Sequence, residues 1–288
     1  MYTDFNYLIF DNIIYTVDML RLKTYFTVDE FSKLELRIKT IYKDFIKNNY
    51  TSLGIAEFRN NFHIEISEGI SFWFGFLHNS ELYSNSKTNE ACKYNFTIEF
   101  NPNKVPFSGI LSMILNSSRN WILKSLDMAM DIKVNILDLC GFDKGRKKDI
   151  RVFSAGGDNK TIYIGRSDNR VKIYNKRKES DLNYDLTRVE ITSKLDYDLH
   201  NLRFFNYNIT LPDIFLNNYL YTFSDYKDKT LLAVLYAVQN GFNLNDLSRR
   251  YKDKITKLLS AGYKINFSNK YCSEVIKKCL LYYFPYLQ

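Results

Sequence analysis

The stretch Thr161 to Lys194, TIYIGRSDNRVKIYNKRKESDLNYDLTRVEITSK, decides how this chain is read. Lys172, Tyr174 and Lys176 alternate with Val171, Ile173 and Asn175, so a strand here turns the tyrosine and both lysines to one face. In Thr187-Arg188-Val189-Glu190-Ile191 the same alternation sends Arg188 and Glu190 to one side and the valine and isoleucine to the other. Two neighbouring strands of this kind pool Tyr, Lys, Arg and Glu. A phenol flanked by cations suits attack on a phosphate, and Lys172 or Lys176 is expected to lower its usual pKa of about 10 by charge.

Working outward, Lys144 to Lys178 holds 12 basic residues and 3 acidic ones. The whole chain carries a formal charge of +8 from 40 basic and 32 acidic residues, so the remainder is close to neutral. A concentrated patch of this sign suits phosphates. Upstream, Ile122 to Val134 reads as a strand centred on LDMAMD, with Asp127, Ala129 and Asp131 on one face. Two carboxylates so placed can hold a hard divalent cation through oxygen; the competing reading is two exposed acids on a solvated face. Glu99 shares a polar strand face with Thr97 and Asn101 and is a further acid within reach.

VDMLRLK at Val17 and LDMAMDIK at Leu126 look alike, and each opens a run of strand, helix and hairpin signals. A duplicated α+β unit, two sheets joined edge to edge, would explain this; so would coincidence. In the first unit Ile13 to Lys23 reads as a strand, with Tyr15, Val17 and Met19 alternating against Asp18, Leu20 and Leu22. Val28 to Lys47 reads as a helix capped by Thr27 with Glu30 three residues on, and Phe62 to Ser67 and Ile70 to His78 as a hairpin. Tyr94 to Asn101 is a strand, Phe107 to Trp121 a helix, and Ile150 to Phe153 and Thr161 to Ile164 short strands about the turn Ala155-Gly156-Gly157-Asp158. Helices over Lys229 to Asn240, Asn245 to Ser260 and Tyr271 to Phe284 close the chain. Arg249, Arg250, Lys252, Lys254 and Lys257 in the second of these suit either a helix-turn-helix-like grip on duplex DNA or a solvated face of a helical cap.

Several chemistries drop out. The four cysteines, Cys92, Cys140, Cys272 and Cys279, form no Cys-x-x-Cys pair, and His63, His78 and His200 have no metal-ligand spacing. There is no Gly-x-x-x-x-Gly-Lys-Ser/Thr loop and no Gly-x-Ser-x-Gly elbow. No run stays uncharged for the ~18 residues of a membrane span, and the start MYTDFNYLIF has no signal pattern, so a soluble, cytoplasmic chain is expected.

GRSDNRVKIYNKRKE from Gly165, followed by TRVEIT from Thr187, resembles the replication initiation factor family of rolling-circle plasmid initiators, phage replication proteins and conjugative-element relaxases. LDMAMD from Leu126 is similar to that family's acidic strand, and FTIEFNPNK from Phe96 to a segment ahead of it; the likeness covers Tyr94 to Lys194. One departure is Ser125-Leu126 before Asp127, where relatives often carry an arginine. The resemblance implies that Tyr174 nicks one DNA strand and stays attached to its 5′ phosphate; Lys172, Lys176 and Arg188, the neighbouring cations, are expected to assist. It implies Asp127, Asp131 and Glu190 as ligands of Mg2+ or Mn2+, and Glu99, on the polar face of its own strand, is a further candidate ligand. Lys147, Lys148, Arg166, Arg170, Arg177 and Lys178 then become DNA contacts.

The expectation is an α+β protein of relaxase-like (HUH-like) kind, with antiparallel sheets under covering helices. Residues 1–223 form the catalytic domain and 224–288 a helical region that recognises DNA or caps the sheet. Its activity is metal-dependent, site-specific nicking and strand transfer that starts rolling-circle replication or conjugative transfer. Its partners are origin duplex and single-stranded DNA, with room for a helicase and a second copy of the chain, and no membrane. The rival readings are a non-catalytic origin or promoter binder and an RNA-binding structural protein.

Overall fold

The two look-alike stretches lie side by side in the computed structural model, on strands β2 (Ile13–Thr27) and β7 (Ile122–Ile132), paired antiparallel. Residues 3–41, 46–48, 60–67, 70–78, 93–107, 109–142, 150–165, 170–209, 213–216, 229–239, 242, 244–260 and 263–287 are described. On the free edge of β2 lies β6 (Lys93–Phe100), then β5 (Ile70–His78), β4 (Asn60–Ser67) and β3 (Ile46–Asn48). On the free edge of β7 lies β12 (Thr187–Asp198), then β11 (Val171–Asn175), β10 (Lys160–Ile164) and β9 (Ile150–Ser154). With β1 (Tyr7–Phe10) hairpinned onto β2, these make one antiparallel sheet of 11 strands.

Each half is a long strand followed by a meander that returns to pair with it. An antiparallel junction of two such halves is what an approximate two-fold axis between β2 and β7 produces, and it joins two sheets edge to edge. The fold is α+β. One sheet face is apolar: Tyr15, Val17, Leu20 and Leu22 from β2, Phe96 and Ile98 from β6, Met128 and Met130 from β7, Val189 and Ile191 from β12 are all buried. Helix α1 (Val28–Ile41) covers β2 and β6, and α6 (Asn269–Tyr283) lies on β1 and β2. Tyr283 meets Phe100 edge-on at 4.9 Å, which ties α6 to the centre of the sheet.

A small second sheet of β8 (Leu139–Phe142), β13 (Asp213–Leu216) and β14 (Tyr263–Ile265) joins the same core through Leu139, Ile214 and Ile265. Helices α4 (Lys229–Gln239) and α5 (Arg249–Ser260) share their own apolar cluster of Leu231, Leu235, Val238 and Ile255. The expected helical region 224–288 is therefore divided, because α6 contributes Cys272, Ile276 and Leu280 to the main core.

Several boundaries differ from expectation, each for a local reason. A bulge between Val17 and Met19 makes Asp18 an extra residue and reverses the phase of β2, so Leu20 and Leu22 face the core instead of sharing a face with Asp18. Helix α1 keeps its capping box, with the Thr27 amide donating to Glu30 Oε2 at 2.8 Å and the Glu30 amide to Thr27 Oγ1 at 3.3 Å. It stops at Ile41, and Ile46 belongs to β3. Helix α2 (Gly109–Leu115) is shorter than Phe107 to Trp121 because the Ser117 hydroxyl donates to the Ile114 carbonyl at 2.6 Å. The Trp121 indole N–H donates to the Leu115 carbonyl at 2.8 Å, closing the helix end. The run expected to begin at Asn245 starts as a separate 3-10 turn, Leu244–Asp246.

Candidate functional site

The opposite face of the sheet is polar, and strand register sets its residues in rows. One row reads Phe153, Thr161, Tyr174, Arg188, Asp131 across β9, β10, β11, β12 and β7. The next reads Arg151, Tyr163, Lys172, Glu190, Ala129, and a third brings Thr192 against Asp127. Directly opposed residues share a face, so Lys172, Tyr174, Arg188, Glu190, Asp127 and Asp131 form one continuous surface.

Arg188 and Asp131 lock the centre. Arg188 Nε and Nη2 each reach an Asp131 carboxylate oxygen at 2.7 Å, and Nη1 reaches Asp18 at 3.0 Å. The arginine side chain is 4% exposed and that of Asp131 0%. Burial alone would lower the guanidinium pKa, but the hydrogen bonds and charges of Asp131 and Asp18 hold it above its usual value. Both oxygens of Asp131 are thus committed to Arg188. Asp18, the bulge residue, also accepts from Asn101 Nδ2 at 3.3 Å.

Tyr174 is buried beside this lock. Its hydroxyl donates to Glu190 Oε2 at 3.3 Å, and the Lys172 ammonium sits over its ring at 4.0 Å from the centroid. Lys176, in the short helix α3 (Lys176–Glu179), stands at 6.0 Å and is paired with Glu179 at 2.9 Å. The expectation that these lysines lower the phenol pKa is reversed. Burial raises it well above its usual value; Arg188 pulls it down, while Glu190, Glu179 and Asp18 push it up. The phenol is therefore neutral at rest, and a base has to take its proton during any attack.

Carboxylates stand beside the phenol. Burial raises the Glu190 carboxyl, Lys172 opposes the shift, and Asp127 and Asp18 add to it. Asp127 is raised by burial, opposed by a hydrogen bond from Thr192, and raised further by Asp18 and Glu99. Glu99 itself is bridged to Arg21. Among the described residues no three His, Cys, Asp or Glu side chains form a ready cage for a metal ion. Mg2+ is commonly held by one or two carboxylates together with substrate phosphates, and the mutually repelling Asp127 and Glu190, with Asp18 beside them, fit that arrangement. Asp131 does not, because Arg188 takes both its oxygens.

Of the expected DNA contacts, Arg170 lies at the head of β11, where its backbone carbonyl accepts from the Thr192 amide at 3.1 Å. Arg177 pairs with Asp185 at 2.9 Å and Lys178 with Asp158 at 2.6 Å. Such exposed pairs are weak enough to exchange for phosphates. Arg166, Lys147 and Lys148 lie outside the described residues. A cavity of about 380 Å³ opens beside the lock, lined by Asp18, Asn101, Lys104, Lys176, Glu179 and Tyr184 among others. Sequence reading missed Asp18, which a bulge hides from any period-two pattern, and Glu179.

No family model matches the chain, and no curated protein matches it. Among solved structures it is similar to the rolling circle replication initiator protein from Geobacillus stearothermophilus. That match has 12% identity, covers 86% of this chain and 97% of the other, and has a TM-score of 0.37.

Proposed function

We propose that this chain is a DNA nickase and strand transferase that initiates rolling-circle replication, with Tyr174 as its nucleophile. The observation that carries the reading is the Tyr174 hydroxyl donating to Glu190 at 3.3 Å under the Lys172 ammonium, on a polar sheet face next to Asp127. A phenol with a carboxylate on its proton and cations around it is equipped for phosphoryl transfer.

In the forward step Tyr174 Oη bonds to the scissile phosphorus while the P–O3′ bond breaks. The phenol proton passes to Glu190, whose raised pKa suits it to the task. The departing 3′ oxygen takes up a proton and becomes a free 3′-hydroxyl, from which synthesis extends. In the return step a 3′-hydroxyl attacks the phosphotyrosine, the P–O bond to Tyr174 breaks, and the phenol recovers a proton. Lys172 keeps the ring in place and sets positive charge near the incoming phosphate. Arg188, held by Asp131 and Asp18, positions the strand behind Tyr174 and contributes a fixed charge. A Mg2+ or Mn2+ ion, when bound, supplies charge at the non-bridging phosphate oxygens; Asp127 would hold it, with Glu190 and Asp18 alongside.

Incubation of supercoiled plasmid carrying the cognate origin with protein and Mg2+ or Mn2+ is expected to give nicked and relaxed DNA and a protein–DNA adduct. Tyr174→Phe is expected to give neither. Tight duplex binding with no nicking under either ion would favour a non-catalytic origin-binding protein.

A further inference from the structure

The outer strands β9 and β10 carry an aromatic surface that the catalytic reading leaves unused. Val152, Ile162 and Ile164 turn to the core side, so Phe153 and Tyr163 share the polar face with Tyr174. Phe153 is 59% exposed, although the core beneath is already filled by its neighbours. Its ring meets Tyr163 edge-on, with centroids 5.7 Å apart and planes at 86°. The Arg170 guanidinium lies 5.1 Å from the Tyr163 centroid, Arg151 stands opposite Tyr163 on β9, and Lys172 opposite it on β11. Two rings and three cations thus adjoin on this face, and the face-sharing residues of β9 and β10, Arg151, Phe153, Thr161 and Tyr163, include no carboxylate.

Interleaved aromatic and cationic side chains on an open sheet face suit single-stranded nucleic acid, because bases stack on the rings while the cations meet the phosphates. The placement is specific. Strands lie about 4.8 Å apart, so Tyr163 is one strand spacing from Lys172, and Phe153 lies about 10 Å from Tyr174 along its own row. We propose that Phe153 and Tyr163 form a stacking platform for one or two bases of the single DNA strand whose scissile phosphate sits at Tyr174, with Arg151 and Arg170 on its backbone. The choice of DNA and the position of the scissile phosphate rest on the proposed nickase function; the platform itself rests on register, exposure and charge.

The test uses the full-length chain carrying Tyr174→Phe, which separates binding from cleavage, and fluorescence anisotropy with a labelled oligothymidylate. Phe153→Ala and Tyr163→Ala are each expected to weaken binding about tenfold, and Phe153→Trp to retain it. Oligonucleotides bearing 5-iodouracil are expected to photocrosslink to peptides containing Phe153 or Tyr163. Unchanged affinity in both alanine variants with native circular dichroism would overturn the platform, as would tighter binding of the matching RNA. If the wild-type chain forms no adduct while the alanine variants still lose binding, the nickase reading fails and the platform stands. If the adduct forms and the variants bind normally, the platform alone fails.

Discussion

Arg188 separates two aspartates that look equivalent in LDMAMD. Asp131 neutralises a buried guanidinium through two short bonds, so Asp131→Asn leaves that charge to the single contact with Asp18 and is expected to cost about 3–5 kcal/mol in urea denaturation. Asp127 stands the other way. Its folded pKa lies above the unfolded one, so the folded state binds the proton more tightly. The carboxylate therefore destabilises the fold above the ordinary carboxylate range, and the penalty fades as pH falls toward that range. Asp127→Asn is expected to stabilise the chain at neutral pH, an advantage that shrinks in acid. Divalent ion is expected to raise the melting temperature of the wild type and not of Asp127→Asn. A destabilised Asp127→Asn would contradict this assignment. Glu190 has the same sign of shift, and in the proposed role of proton acceptor it would work only when ionised. Nicking should rise with pH through a limb above the ordinary carboxylate range, and Glu190→Gln should abolish the limb along with most of the rate. At this scale the alternation in VKIYN and TRVEI was enough to place Lys172, Tyr174, Arg188 and Glu190 on one face. Partner choice was not legible, because Arg188 meets Asp131 across 57 residues of chain through strand register that no local pattern encodes.

Among elements, β2 shows what sequence periodicity conveys and what it hides. Its length and apolar content mark it as a strand, yet one extra residue at Asp18 reverses the side-chain phase and brings that carboxylate to Arg188. A period-two reading has no term for such an insertion. Longer strands with clean alternation, β4, β5, β6, β7 and β12, were legible. The three- and four-residue strands β3, β8, β13 and β14 were not, since pairing partners rather than residue pattern define them. The start of α1 was legible because a capping box is local. Thr27→Ala should therefore cost about 1 kcal/mol in denaturant unfolding, and a loss above about 3 kcal/mol would mean that Thr27 does more than cap the helix.

For the whole molecule, the paired halves put an apolar face under α1 and α6 and a polar face outward. Helices α4 and α5 hold together through a cluster separate from the main core. Ile255→Asp is expected to melt this pair, read as lost amide-exchange protection over residues 229–260. Protection of β2 and β7 should stay intact, and a collapse of both regions together would contradict the separation. The central claim is that the phenol of Tyr174 attacks the phosphate. It is tested most directly by mass spectrometry of the DNA-linked peptide after proteolysis of the origin adduct. The account predicts a nucleotide bound to Tyr174 and no adduct from Tyr174→Phe. A nucleotide on any other residue, or an undiminished adduct from Tyr174→Phe, would contradict it.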